Sequence, residues 1–267
     1  MCIRDRHKGV AGVATATVIS RIINLVIVVL LGAVLVKAKQ HPERESNRAV
    51  MGQIIRIGLP SACETAIYNV SMTLVIRFLN QMDAQGLNVT ARSYTMQITN
   101  FSYCVGAALA QANAIMTGWR IGAKKYEECD RGTRKAVIYG LVTATCFSVT
   151  FAITGRFIVH IFTNDIQMIE LVVKLLVVDI FLEFGRVTNL VYGQALKTSG
   201  DAIFPVIMGA IFMYLFAVGG TYFLGIHMGL LAVGAYIAMA GDECARAVGM
   251  VLRWKSGKWK SKSLVEL

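Results

Sequence analysis

Apolar residues in this chain run in long blocks, and the polar and charged residues gather in short segments between them. Crossing a hydrocarbon core of about 30 Å as an α-helix takes roughly 20 mostly apolar residues, and each block is long enough. The blocks lack the alternation of a half-buried strand, so they predict membrane helices. We predict an all-α membrane protein with seven spans, at residues 9–36, 51–80, 89–118, 134–162, 167–196, 202–225 and 229–252.

The segments between the spans predict how the chain is oriented. Lys and Arg follow the first, third, fifth and seventh spans, whereas the short segments after the other three contain neither. Because basic loops stay in the cytoplasm, we expect a multi-pass protein of the plasma (inner) membrane with a cytoplasmic C-terminus. Residues 37–50 would form a cytoplasmic linker and residues 254–267 a basic cytoplasmic tail. Residues 1–8 match nothing downstream and look like a non-native N-terminal scar.

Composition excludes several other classes of protein. Of the 267 residues, 55% are hydrophobic and 16% are charged, which leaves too little polar surface for a soluble globule. The net charge of +11 does not indicate nucleic acid, since the basic residues lie in the loops. Six cysteines without CxxC spacing predict neither a disulfide framework nor a metal site. Neither HExxH nor GxSxG occurs, so we do not expect an enzyme.

The second span contains a carboxylate in the middle of apolar residues. Ionisable groups within spans are costly and usually face a cavity or a charged partner. Glu64, Tyr68 and Ser71 share one helix face at i, i+4 and i+7. They could bind a cation or carry a proton, and the alternative is a buried glutamate that is hydrogen-bonded or ion-paired.

The fifth span repeats that spacing with three charged residues, Asp179, Glu183 and Arg186. Two carboxylates and one arginine leave a net negative site, and close carboxylates favour a proton that can exchange near neutral pH. The alternative is an internal salt bridge that joins helices, and the two roles can coexist.

The first and last spans contain the remaining in-span charges that we single out. Arg246 can reach Asp242 at i+4 and Glu243 at i+3. We expect these three residues to form structural or gating ion pairs near the cytoplasmic end. Arg21 lies deep in the first span, and we expect it to pair with one of the acids of the other spans.

Small residues and a proline bear on how the helices pack. Gly106, Ala110 and Ala114 recur every four residues, which favours close approach of another helix. Pro60 either kinks the second span or lies harmlessly near its start, where a proline is tolerated.

Seven segments in this order resemble the multidrug and toxic compound extrusion (MATE) family of transporters. They are Gly12–Arg21, Ile57–Glu64, Gly118–Lys124, Asp179–Arg186, Leu196–Asp201, Asp242–Arg246 and Arg253–Trp259.

The resemblance implies a twelve-helix fold of two six-helix lobes. Residues 9–36 would then be the last helix of the first lobe and residues 51–253 the second lobe, so that the first lobe is the missing partner of this chain. The implied function is export of organic cations or other small amphiphiles by a protein embedded in the lipid bilayer. Export would be coupled to inward flow of sodium ions or protons, with no other cofactor. Glu64 looks like the family's acid near the start of the second lobe.

Two rival functions remain to be weighed. A lipid-precursor flippase or metabolite carrier of related fold would favour an anionic substrate and a cationic cavity, which the in-span acids argue against. A retinal photoreceptor needs a lysine in its last span, and residues 228–252 contain none.

Overall fold

The computed structural model of the chain describes residues 9–35, 47–83 and 85–262. The predicted scar, most of the predicted linker and residues 263–267 of the predicted tail lie outside these ranges. The chain divides into two units, Met1–Met51 and Gly52–Leu267, which we treat separately. Within the described ranges there are seven long helices: α1 (Gly9–Leu35), α2 (Asn47–Met82), α3 (Leu87–Gly122), α4 (Tyr126–His160), α5 (Ile166–Thr198), α6 (Ile203–His227) and α7 (Leu231–Lys255).

The first unit contains α1, an apolar helix with a single charged residue in its middle, Arg21. Its segment Ala14–Gly32 is long and apolar enough to cross a membrane. The predicted partner of Arg21 would belong to the other unit, so that pairing stays a prediction.

In the second unit, α5 is the central helix. It packs against α3, α4 and α7, and buried side chains occur along its whole length. Val172 and Leu175 belong to one apolar core, whereas Val187 and Val191 belong to a second core near the other end of the helix. Two of the charges that interrupt α5, Asp179 and Glu183, are buried, whereas Phe181 and Phe184 on the same helix are exposed.

Close approach between helices depends on small residues. Gly106, Ala110 and Ala114 are buried, and a Cβ at Gly106 would lie 3.2 Å from Val187 Cγ2, which confirms the predicted packing face. Contact is tighter still at Gly185, where a Cβ would lie 2.6 Å from the backbone nitrogen of Cys244. The backbones of α5 and α7 thus meet where only glycine fits.

The outward surfaces of the second unit are apolar. Ile153 and Phe157 on α4 are each 77% exposed, which is unusual for a protein in water and expected for one in lipid. By length and composition alone, α4 and α6 in this unit are apolar enough to span a membrane. The described parts of α2, α3, α5 and α7 contain more polar residues, and several of these line a cavity.

Two helices differ in detail from the prediction. Because α2 begins at Asn47, Pro60 lies in its interior, so the interpretation that it marks a helix start is wrong. A proline there removes a backbone hydrogen bond and is a normal cause of a kink. In α6, the α-helical segment Ile203–Phe212 continues into π-helical turns at Met213–Val218 and Thr221–His227, with two glycines between them.

The ends of α3, α4, α5, α6 and α7 that lie beside basic segments meet in one cluster, which we call the basic end. Asp201, whose side chain is inaccessible to solvent, accepts hydrogen bonds from Arg253 and Lys262. Burial alone would raise the pKa of Asp201, but these hydrogen bonds outweigh it and hold the pKa below its usual value.

The start of the predicted tail is part of this cluster. Trp259 is 1% exposed, stacks on Trp254 at 4.3 Å between ring centroids and donates a hydrogen bond to the Trp254 carbonyl. Trp254 donates in turn to Asp130 at the start of α4. Residues 254–262 are therefore docked against the helix ends and are not a free tail, because two buried indoles and a buried carboxylate hold them.

We predict that Gly185→Ala destabilises the full-length protein by about 1–3 kcal/mol, because the added methyl group forces α5 and α7 apart. Gly193→Ala is the matched control on the same helix, since nothing lies within 4 Å of its Cβ position. Thermal unfolding in detergent, followed by size-exclusion chromatography, compares the two. Equal unfolding temperatures for both variants would contradict the close contact.

Candidate functional site

A cavity of about 670 Å³ opens in the second unit. Side chains from α2, α3, α5, α6 and α7 line it. Four of these helices are too polar to count as spans by composition, and each of them contributes charged side chains to the cavity.

The charges of the lining balance. Four are carboxylates and four are cations: Glu64, Asp179, Asp242 and Glu243, against Arg92, Arg186, Lys197 and Arg246. The sequence analysis predicted a net negative site, whereas the charged side chains of the cavity walls sum to zero. The prediction counted only the residues within single spans.

Glu64 is ion-paired across the cavity. Its Oε2 lies 2.5 Å from Nζ of Lys197, a residue that the prediction treated as part of a loop and that belongs to the last turn of α5. Tyr68 lines the cavity beside it, whereas Ser71 is fully buried outside the lining. The structure thus brings together two of the three residues predicted on this face of α2.

Glu183 lies behind the cavity wall. It is 1% exposed, accepts a hydrogen bond from Ser102 of α3 at 3.2 Å and forms an ion pair with Arg186. The guanidinium of Arg186 also lies 5.9 Å from the ring centre of Tyr103. Glu183 therefore positions Arg186 and is not itself part of the lining.

The charges of α5 and α7, predicted as separate groups, form one network. Arg246 makes ion pairs with Asp242 at 2.7 Å and with Glu243 at 2.9 Å. Glu243 also accepts a hydrogen bond from Asn189 and lies 4.0 Å from Arg186. This network joins α5 to α7, and it can hold its charges in a low-dielectric site because each is compensated.

Asp179 is the exception. It lines the cavity, is 2% exposed, and forms no ion pair among the described residues. Its Oδ2 is buried and has no hydrogen-bond partner among the residues that the structure describes. A desolvated carboxylate without a partner is unfavourable until a proton or a cation neutralises it.

Two lining cations were missed by the sequence analysis. Arg92, near the start of α3, is 8% exposed; its Nη2 contacts the sulfur of Met72, and its Nε has no described partner. The helical repeat could have found Lys197, because 18 residues make five full turns and put it on the same face of α5 as Asp179. Arg92 could have been noticed as a cation inside the predicted third span.

Comparison with known proteins identifies the family. The sequence model of the MatE family matches residues 60–223, more than half of the chain. The chain belongs to the MatE family. It is 32% identical over 258 residues to the uncharacterized transporter YisQ of Bacillus subtilis, covering 96% of this chain and 56% of YisQ. It is 23% identical to the probable multidrug resistance protein NorM of Thermotoga maritima, covering 97% of this chain and 56% of that protein.

Solved structures of MATE transporters share the fold. The crystal structure of the eukaryotic MATE transporter AtDTX14 superposes with a TM-score of 0.82 at 16% identity, over 95% of this chain and 57% of that one. The chain spans about half the length of the curated relatives it matches. That coverage agrees with the predicted single lobe and one preceding helix of a multi-pass membrane transporter.

The network between α5 and α7 leads to a stability prediction. Arg246→Met should destabilise the full-length MATE protein by about 3–5 kcal/mol, because the buried Asp242 would lose its cation and Glu243 would keep only Arg186, 4.0 Å away. Arg134→Met removes an Arg–Asp pair of the same i, i+4 spacing, but its side chains are 65% and 41% exposed. That control should cost less than about 1 kcal/mol.

Thermal unfolding of both variants in one detergent measures the difference. Similar losses for Arg246→Met and Arg134→Met would contradict the account of the network as a buried, mutually compensated group.

Proposed function

We propose that the complete transporter containing this chain exports organic cations or other small amphiphiles in exchange for sodium ions or protons. The C-terminus would be cytoplasmic, and the coupling ion would be the only cofactor. The names of two relatives support this class of function: a probable multidrug resistance protein NorM of Thermotoga maritima, and the multidrug and toxin extrusion protein 2 of Oryctolagus cuniculus.

The observation that carries the proposal is the carboxylate of Asp179, which forms no ion pair among the described residues and whose buried Oδ2 has no hydrogen-bond partner there. The other three lining acids each form an ion pair with Lys197 or Arg246. Asp179 is therefore the acid at which an added positive charge would relieve the largest desolvation penalty. Substrate cation and coupling ion would compete for this site, and its neutralisation by the coupling ion would release the substrate outward.

Other residues near Asp179 would supply aromatic contacts and a second carboxylate for a bound cation. Tyr68 and Tyr103 line the cavity, and their rings would contact an organic cation bound there. Glu64 would be a second cation ligand once it is released from Lys197. Glu183 would act indirectly, by holding Arg186 in place.

One observation favours the alternative, a lipid-precursor flippase or metabolite carrier. Arg92 is buried, its Nε has no hydrogen-bond partner among the described residues, and an anionic group of a substrate could bind it. In that case Arg92→Gln would abolish transport of an anionic substrate, and Asp179→Asn would leave it unaffected.

Efflux from cells that express the full-length gene tests the main proposal. Asp179→Asn should abolish ion-dependent efflux of ethidium, because the neutral amide cannot exchange a proton or bind a cation as a carboxylate does. Asp165→Asn is the matched control: Asp165 is exposed and caps α5 through the backbone N–H of Gln167, and Asn also caps helices well.

Efflux is compared in sodium-containing and sodium-free buffers, with expression levels measured alongside. Undiminished efflux by Asp179→Asn would overturn the assignment of this residue. Absence of efflux by the wild-type protein for every organic cation tried would favour the carrier alternative.

A further inference from the structure

The ion pair between Glu64 and Lys197 bridges the cavity from α2 to α5. Nζ and Oε2 are 2.5 Å apart, and the two side chains are 19% and 28% exposed, so water reaches both. Both residues line the cavity. A protein ammonium group therefore occupies the carboxylate at which an external cation would bind.

The ion pair also lies in the half of α2 that is less buried within this chain. The half of α2 that follows Val70 is anchored in the core through Val75 and Leu79, both of which are completely buried. Between residues 51 and 70, none of the positions whose exposure is described is buried. The Glu64–Lys197 pair ties this less-packed half of α2 to the central helix α5.

We propose that Lys197 is an internal competitor for Glu64, the second cation ligand of the cavity, and that it holds Glu64 until a transported cation displaces it. The proposal rests on the proposed function, since it assumes that cations enter this cavity. Displacement frees Lys197 and unties the less-packed half of α2 from α5. Cation binding is thereby linked to the position of α2.

Charge balance explains why such a competitor is useful. If Lys197 were absent, an empty cavity would hold Glu64 as an uncompensated, half-desolvated charge, and a bound cation would be hard to release. With Lys197 present, the entering cation replaces the ammonium group of Lys197 beside Glu64. The net charge around Glu64 therefore changes little, and binding is readily reversible. The competing ligand is a monovalent cation, which can be the coupling ion or the substrate.

Binding to the purified full-length protein tests the proposal, with sodium and tetraphenylphosphonium as separate probes at constant ionic strength. Lys197→Met should bind at least one of the two cations roughly tenfold more tightly, because the cation no longer displaces an ammonium. Lys197→Arg should bind like the wild type, since it keeps a competing cation. Lys174→Met, an exposed lysine on the same helix, is the matched control.

Tighter binding in Lys197→Met should disappear when Glu64→Gln is added, because both effects act at one carboxylate. A gain in affinity for sodium alone identifies the coupling ion as the cation that displaces Lys197, and a gain for tetraphenylphosphonium alone identifies the substrate as that cation. A purely structural role of Lys197 predicts weaker or unchanged binding of both cations, and that result would overturn the proposal.

A second measurement on the wild-type protein avoids dependence on the folding of the variants. Reductive methylation of Lys197, read by mass spectrometry, should increase when the displacing cation is added, whereas Lys174 should react equally with and without it. Unchanged reactivity of Lys197 at saturating cation would overturn the proposal. If neither cation binds to wild type or to Lys197→Met, the proposed function fails, and this inference fails with it.

Discussion

The cost of a charge in a low-dielectric surrounding constrains this structure more than any other interaction. Charged side chains in lipid or in a protein interior need a partner, a proton or water. The walls of the cavity meet this requirement mainly with protein partners, since Arg246 compensates two acids and Lys197 compensates a third. Among the described residues, Asp179 and Arg92 are the charged lining residues without an ion-pair partner. They are therefore the positions at which a ligand changes the energy of the cavity most.

The arrangement of the helices follows from where these charges lie. The helices that contribute charges surround the cavity, and α4, which has a largely apolar middle, turns exposed Ile153 and Phe157 outward. The small residue Gly185 lets α7 approach α5 closely enough for their charged groups to form one network. The docked Trp254 and Trp259 close the basic end, where Asp201 is buried under two cations.

Much of the fold could be predicted from the sequence, and less of the site. Apolar block length is a local property, so all seven helices were found, and the spacing of Gly106, Ala110 and Ala114 indicated a packing face. Partners between helices are not local: nothing in the sequence near Glu64 indicates Lys197, more than 130 residues away. Hydropathy alone also misplaced Lys197 and Trp259, because a helix end packed against protein looks like a loop when only its composition is considered.

Infrared difference spectroscopy of the purified full-length protein tests the central claim, that Asp179 is the lining acid left free for a cation. Adding the coupling cation should change a carboxyl band, and most of that change should be lost in Asp179→Asn while it persists in Asp165→Asn. A cation-induced carboxyl band of full size in Asp179→Asn would contradict the claim, because the cation would then be binding to an acid that the structure shows already paired.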